Sequence, residues 1–241
     1  MGDHMNLEYN LIAHRGYFDI NKGIPENSIK AFKKAIRYNY MIEFDVRKTK
    51  DDKLIVFHDN NLKRCCGINK DIDECTYEEL SKLYLFNTSS KIPLFSDVLS
   101  IIDGKVPIII ETKGNNKYGI LEELMEKELS SYKGEYAVQS FNPLSILWYK
   151  RNKPNIKRGL LESVNSRKKI SIFRKIISFN WILKPDFYSL DTKLKDKKKP
   201  NKLYLGWTIK DELEYSKYKD KYNNLICENM NLYFNDKKPT K

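Results

Sequence analysis

The chain has 241 residues, 41% hydrophobic and 12% aromatic, enough for one large domain with a full core. No run of about 18 uninterrupted apolar residues occurs, which argues against a transmembrane helix, and no secretion-signal pattern opens the chain. The net charge of +12 suits nucleic acid, an anionic membrane or a phosphate-bearing substrate, but lysines scattered along the whole length favour a generic basic surface.

Residues 1–5, MGDHM, have the look of an expression remnant, so His4 is set aside and 6–241 is expected to be a single domain. The first strand-like run, Leu11-Ile12-Ala13, leads into His14-Arg15-Gly16. A polar loop over 17–23 follows. Pro25-Glu26-Asn27-Ser28 then opens a helix, with Asn27 or Ser28 as cap and Ile29, Phe32, Ala35 and Ile36 as its apolar stripe. The next run, 41–46, alternates Ile42, Phe44 and Val46 with Glu43 and Asp45. On a strand this places both carboxylates on one face. Two carboxylates that close repel, and a divalent cation between them removes the repulsion; oxygen ligands suit Mg²⁺ or Ca²⁺. A solvated acidic strand face is the plain alternative.

Asp51-Asp52-Lys53 is a tight turn, so 54–57 returns as a short extra strand and brings His58 back toward the carboxylates. His14 and His58 thus each follow an apolar run beside an acidic strand. Histidine titrates near neutrality, which suits proton transfer in either direction.

These elements together resemble the glycerophosphodiester phosphodiesterase family. The resemblance rests on His14-Arg15-Gly16, Pro25-Glu26-Asn27-Ser28, Glu43-Phe44-Asp45-Val46, Thr49-Lys50-Asp51 and Val56-Phe57-His58-Asp59, in that order and spacing. Ile92-Pro93-Leu94 through Leu99 continues it.

Between these motifs, Cys65, Cys66 and Cys75, with Cys227 near the end, show no CxxC or Cys/His metal spacing. Free thiols in a reducing, cytoplasmic setting are expected. Thr76-Tyr77-Glu78-Glu79 is a capping-box pattern, and Ser96 or Asp97 starts a short helix through Ile102. The continuous apolar run 106–110 fits a parallel strand buried on both faces and ends in Glu111-Thr112-Lys113. A plain ion pair is one reading of Glu111 and Lys113. The resemblance implies instead a third metal ligand and a phosphate contact.

The chain then alternates. Helix is expected over 118–132, strand over 135–140 into Gln139-Ser140-Phe141-Asn142, and helix over 143–150. Leu160-Leu161 is the next strand, 166–183 a basic helix, and 187–190, 203–209 and 225–227 the last strands, with Trp207 in the second of these. Gln139 and Trp207 fall in elements that resemble the family's phosphate- and substrate-contacting ones. Eight strands separated by helices predict an α/β fold, a (β/α)8 TIM barrel with a short extra hairpin strand after strand 2. Where the family has a Thr-Asp-x-Pro ending, this chain has Cys227-Glu228-Asn229-Met230.

The resemblance implies metal-dependent hydrolysis of glycerophosphodiesters to glycerol 3-phosphate and an alcohol. Glu43, Asp45 and Glu111 would hold one divalent ion, Mg²⁺ or Ca²⁺. Arg15, Lys113, Gln139 and Trp207 would bind substrate; His14 and His58 would be the acid–base pair, assigned here as base and acid respectively, an order the sequence does not set. The alternatives are a lysophospholipase D acting on membrane lysophospholipids and, from another class, a non-catalytic polyanion-binding barrel. No specific nucleic-acid partner is expected, and the sequence does not set an oligomeric state. The segment 166–183 carries Ile170, Phe173, Ile176 and Ile177 on one helical face, basic residues around it and Trp181 near its end. It is either the barrel's fifth outer helix or a peripheral membrane contact.

Overall fold

Short apolar runs, buried on both faces along most of their length, become the strands of a closed parallel ring. The computed structural model describes residues 5–8, 10–114, 118–164, 180–194 and 201–229. In chain order the strands are β1 (Ile12–His14), β2 (Met41–Lys48), β3 (Leu54–Val56), β4 (Ile108–Thr112) and β5 (Tyr136–Ser140). β6 (Lys157–Glu162), β7 (Phe187–Asp191), β8 (Leu203–Ile209) and β9 (Asn224–Cys227) follow. β1 pairs in parallel with both β2 and β9, which closes an eight-strand barrel. β3 lies outside the ring, antiparallel to β2 through Val46–Val56 and Lys48–Leu54. This is the (β/α)8 barrel with an extra hairpin strand that the alternating pattern predicts.

Period-two alternation divides β2 between two layers. Ile42, Phe44 and Val46 face outward and pack with Phe32 and Ala35 of α1 (Ile29–Arg37) and with Phe95 and Val98 of the helix Phe95–Ile102. Met41 faces the barrel interior with Ile109, Ala137, Phe187, Leu205 and Ile226, where Met5 and Leu7 also pack. Met5 belongs to the segment expected to be a remnant, yet it is buried, and its carbonyl accepts a bond from the Lys157 ammonium. On the same interior-facing register the apolar Met41 gives way to Glu43, Asp45 and Arg47, all buried. The interior is therefore apolar toward the strands' N-terminal ends and charged toward their C-terminal ends.

Ser28 caps α1 by accepting from the Ala31 N–H, and the Thr76/Glu79 capping box forms. The helix expected from Ser96 or Asp97 begins at Phe95, with no side-chain cap. The strand expected at Leu160-Leu161 extends over Lys157–Glu162, because the buried Arg158 guanidinium bonds the carbonyls of Pro154, Ile156 and Lys184 and pairs with Asp186.

The stretch between β3 and the helix Phe95–Ile102 builds a small core of its own from Ile55, Phe57, Leu62, Cys65, Ile72, Cys75, Leu80, Leu85 and Ile92. It includes a four-residue helix, Lys63–Cys66. All four cysteines are unpaired. The basic segment 166–183 lies outside the described residues apart from the turn Asn180–Leu183. No described helix is long and apolar enough to cross a membrane.

Candidate active site

The site begins where β1 ends. Beyond His14 the chain turns sharply, with Arg15 and Gly16 both at positive φ, 54° and 80°. A Cβ on Gly16 would lie 2.9 Å from the Ala31 side chain and from the Phe32 ring, so glycine is needed for both conformation and close approach. The turn aims the Arg15 N–H at Glu43 Oε2, 3.2 Å away. The Arg15 guanidinium reaches Glu26 at 2.7 Å and Asp45 Oδ2 at 3.4 Å. Asn27 follows Glu26; its backbone N–H donates to the Arg15 carbonyl, and its side chain donates to Asp45 Oδ2 at 2.8 Å.

Glu43 and Asp45 of β2 meet Glu111 of β4, the neighbouring strand on which Asp45 is in register with Glu111. One oxygen from each of the three buried carboxylates lies within 4.8 Å of the others. Lys113 Nζ lies 3.2 Å from Asp45 and 2.5 Å from Glu111. Gln139 of β5 donates to Glu43 Oε1 at 3.2 Å and accepts from the Ser189 hydroxyl of β7 at 2.7 Å. Gln139, expected from the sequence to contact substrate, bonds Glu43 and Ser189 in this structure. Trp207 stands edge-on to Phe141 at 5.8 Å, and its indole nitrogen is buried with no hydrogen-bond partner among the described residues.

The two histidines are built alike. His14 Nδ1 lies 2.8 Å from Glu228, while its Nε2 lies 3.9 Å from Glu43. His58 Nδ1 lies 2.6 Å from Asp59. Each ring therefore has a carboxylate on Nδ1, an arrangement that orients the ring and leaves Nε2 for proton transfer. Glu228, the residue that departs from the family's ending, supplies the first of these partners. Arg47, on the same interior register as Glu43 and Asp45, donates through Nε and Nη2 to the His58 carbonyl at 2.9 and 2.7 Å. The sequence reading gave Arg47 no role; its place four residues after Glu43 was the available signal.

Burial dominates the electrostatics. It raises Glu43 well above the usual carboxylate range, with help from Asp45 and Glu111. It also raises Glu111 to about 7, although Lys113 opposes the shift. Burial works in the same direction on Asp45 but is outweighed by Lys113 and then Arg15, which hold that carboxyl well below its ordinary value. Three carboxyls this close cannot all ionise without added positive charge. The donor set fits a divalent cation: only oxygens, all buried, with a burial cost that an ion between them would offset. Burial also lowers His14, assisted by Arg15 and opposed by Glu228. His58 is pushed down to about 4 by burial, against the nearby Asp45 and with Lys113 and Arg15 adding to the fall.

An open cleft of about 750 Å³ lies beside His58, lined by Arg47, Asp59, Asn60, Arg64 and Lys113 among others. A second, of about 380 Å³, shares Arg47, Asn60 and Lys113 and reaches Glu111 and Phe141. The carboxylate cluster and His58 therefore open onto adjoining space large enough for a small phosphodiester.

Comparison with known proteins agrees with this geometry. A glycerophosphodiester phosphodiesterase of Caldanaerobacter subterraneus is 36% identical over 162 residues, covering 63% of this chain and 65% of that protein. Lysophospholipase D GDPD1 of Rattus norvegicus is 32% identical over 139 residues, covering 52% of this chain and 42% of its own length. The chain thus spans less than two thirds of the length of either relative. Among solved structures, an Oleispira antarctica phosphodiesterase in complex with the product sn-glycerol-3-phosphate superposes with a TM-score of 0.76 at 20% identity, over 90% of this chain and 92% of that one. The Thermotoga maritima glycerophosphodiester phosphodiesterase gives 0.71 at 22% identity, over 91% and 94%. The family model described as the glycerophosphoryl diester phosphodiesterase family matches residues 14–230, a span that starts at His14 and includes every residue of the carboxylate and histidine cluster. The barrel, the cluster at the mouth of its strands and this match agree: the chain belongs to the glycerophosphoryl diester phosphodiesterase family.

Proposed function

We propose that the protein hydrolyses glycerophosphodiesters to glycerol 3-phosphate and an alcohol, in a metal-dependent reaction that uses His14 and His58. The observation that carries this reading is the convergence of both histidines, three buried carboxylates, Arg15 and Lys113 at one end of the barrel. A divalent ion, Mg²⁺ or Ca²⁺, held by Glu43, Asp45 and Glu111 would supply positive charge to the phosphoryl oxygens in the transition state. Arg15 and Lys113 add to that charge and orient the diester. His14 takes the proton of the substrate's own glycerol hydroxyl as that oxygen attacks phosphorus. His58 gives a proton to the departing alcohol oxygen as its bond to phosphorus breaks. Water then opens the cyclic phosphate with the two histidines in reversed roles.

His58 must carry its proton into the first step, although burial, Lys113 and Arg15 favour the neutral ring. The arriving phosphodiester anion offsets those cations, and Asp59 on Nδ1 favours the protonated ring. The substrate is thus part of what arms the acid. Gln139 acts through Glu43, and Trp207 with Phe141 gives an apolar wall for the glycerol carbons.

A panel of glycerophosphodiesters assayed for glycerol 3-phosphate and free alcohol tests the reading. His14→Ala and His58→Ala should each slow turnover by about 10²-fold or more. Normal rates in both variants would contradict the acid–base pair. The lysophospholipase D reading is favoured by the name of the rat relative. It predicts that the same panel shows faster cleavage of lysophospholipids than of soluble diesters.

A further inference from the structure

Arg64 lies outside the barrel, on the four-residue helix Lys63–Cys66 of the stretch that follows β3. Its guanidinium makes four bonds, to two carboxylates. Nε and Nη2 donate to Asp59 Oδ2 and Oδ1 at 2.6 and 3.0 Å. Nη1 and Nη2 donate to Glu26 Oε2 and Oε1 at 2.8 Å each. Four of five N–H donors are thus committed within one planar fork. Each carboxylate in turn holds a residue of the site: Asp59 bonds His58 Nδ1, and Glu26 bonds the Arg15 guanidinium. The Phe86 ring lies 5.5 Å below the Arg64 guanidinium carbon.

Without Arg64, Asp59 would keep only His58 as a hydrogen-bond partner among the described residues, and its carboxylate could rotate with the ring. With Arg64 it is gripped on both oxygens and anchored to Glu26, in the loop before α1. Burial alone would raise the Asp59 carboxyl, but the bonds from Arg64 and then His58 outweigh it and hold the group down at about 2, so the carboxylate remains an acceptor for His58. We propose that Arg64 is a positioning residue for the leaving-group step: it fixes Asp59, and through Asp59 the ring of His58 that protonates the departing alcohol. This rests on the acid–base reading above. Arg64 lines the cleft beside His58, and the role assigned to it here is exercised through Asp59.

A leaving-group comparison separates this role from a purely structural one. In glycerol 3-phosphate p-nitrophenyl ester the phenolate departs without needing a proton, whereas an alkyl alcohol requires one. Arg64→Met should slow cleavage of an alkyl diester such as glycerophosphoglycerol by about 10- to 100-fold, within the range of acid–base effects. It should slow the p-nitrophenyl ester at least about tenfold less. Asp59→Asn should show the same selective loss, and on the alkyl diester the double variant should be no slower than the worse single one, because the selective part of both losses runs through the shared Arg64–Asp59 contact. Arg64→Lys, which keeps the charge without the fork, should fall between wild type and Arg64→Met; it carries the same comparison if the methionine variant does not fold. Equal loss on the two substrates, or losses from Arg64→Met and Asp59→Asn that multiply, would overturn the proposal. If the wild-type protein cleaves neither substrate, the acid–base reading fails and the proposal falls with it; selective failure of the variants' pattern leaves that reading standing.

Discussion

His14 and His58 show how little of a site residue's chemistry is carried by its own letter. Both were legible because each follows an apolar run, and Glu43 and Asp45 because they alternate with Ile42, Phe44 and Val46. Asp59 stands next to His58 in its motif, but the distant partners that tune the pair were not legible. Glu228 is 214 residues from His14, and Arg64 is 38 residues from Glu26; only the closed barrel and the packed insertion bring them together. The depressed pKa of His58 has a consequence for stability. The ring titrates at about 4 in the fold against 6.5 for the ordinary group, so the unfolded chain binds the proton more readily. Stability associated with His58 is then complete above about pH 6.5 and declines as pH falls toward 4. Denaturant unfolding of metal-free protein at pH 7 and pH 5 should show this loss. His58→Asn should reduce it, and an unchanged pH dependence in that variant would remove His58 as its source.

Element boundaries were legible where hydrophobic periodicity was uninterrupted, as in β8 and α1, whereas β2 runs two residues past the expected Val46, to Lys48. They were lost where a charged residue is buried. Lys157 and Arg158 fall outside the strand expected at Leu160-Leu161, yet they begin β6 because Arg158 finds carbonyl partners and Asp186. The packed insertion after β3 was also missed, since its apolar residues follow neither a strand nor a long-helix period. Two tight places test the local account. Gly16→Ala places a methyl 2.9 Å from Ala31 and Phe32 at φ 80°, so it should cost about 1–3 kcal/mol and displace Arg15. Unchanged stability and turnover would show that the turn relaxes freely. Ser28→Ala removes the acceptor for the Ala31 N–H and should cost about 1 kcal/mol, measurable as a lower denaturation midpoint with little change in turnover at moderate temperature. A midpoint equal to that of wild type would mean that the cap adds nothing.

At the scale of the whole molecule, the eight-strand count gave the barrel, and the barrel explains why residues from 14 to 228 share one site. The net charge of +12 carried no comparable information, because charge reports on solubility and non-specific binding rather than on chemistry. What the molecule concentrates at the strand ends is a buried acidic cluster with cations on its rim, an arrangement suited to a metal and a phosphate and unsuited to a passive polyanion binder. The most direct test is turnover of a glycerophosphodiester, followed by release of glycerol 3-phosphate, in EDTA-treated protein before and after adding Mg²⁺ or Ca²⁺. The account predicts that activity disappears on chelation and returns with the metal. Full turnover by the metal-free protein would contradict it.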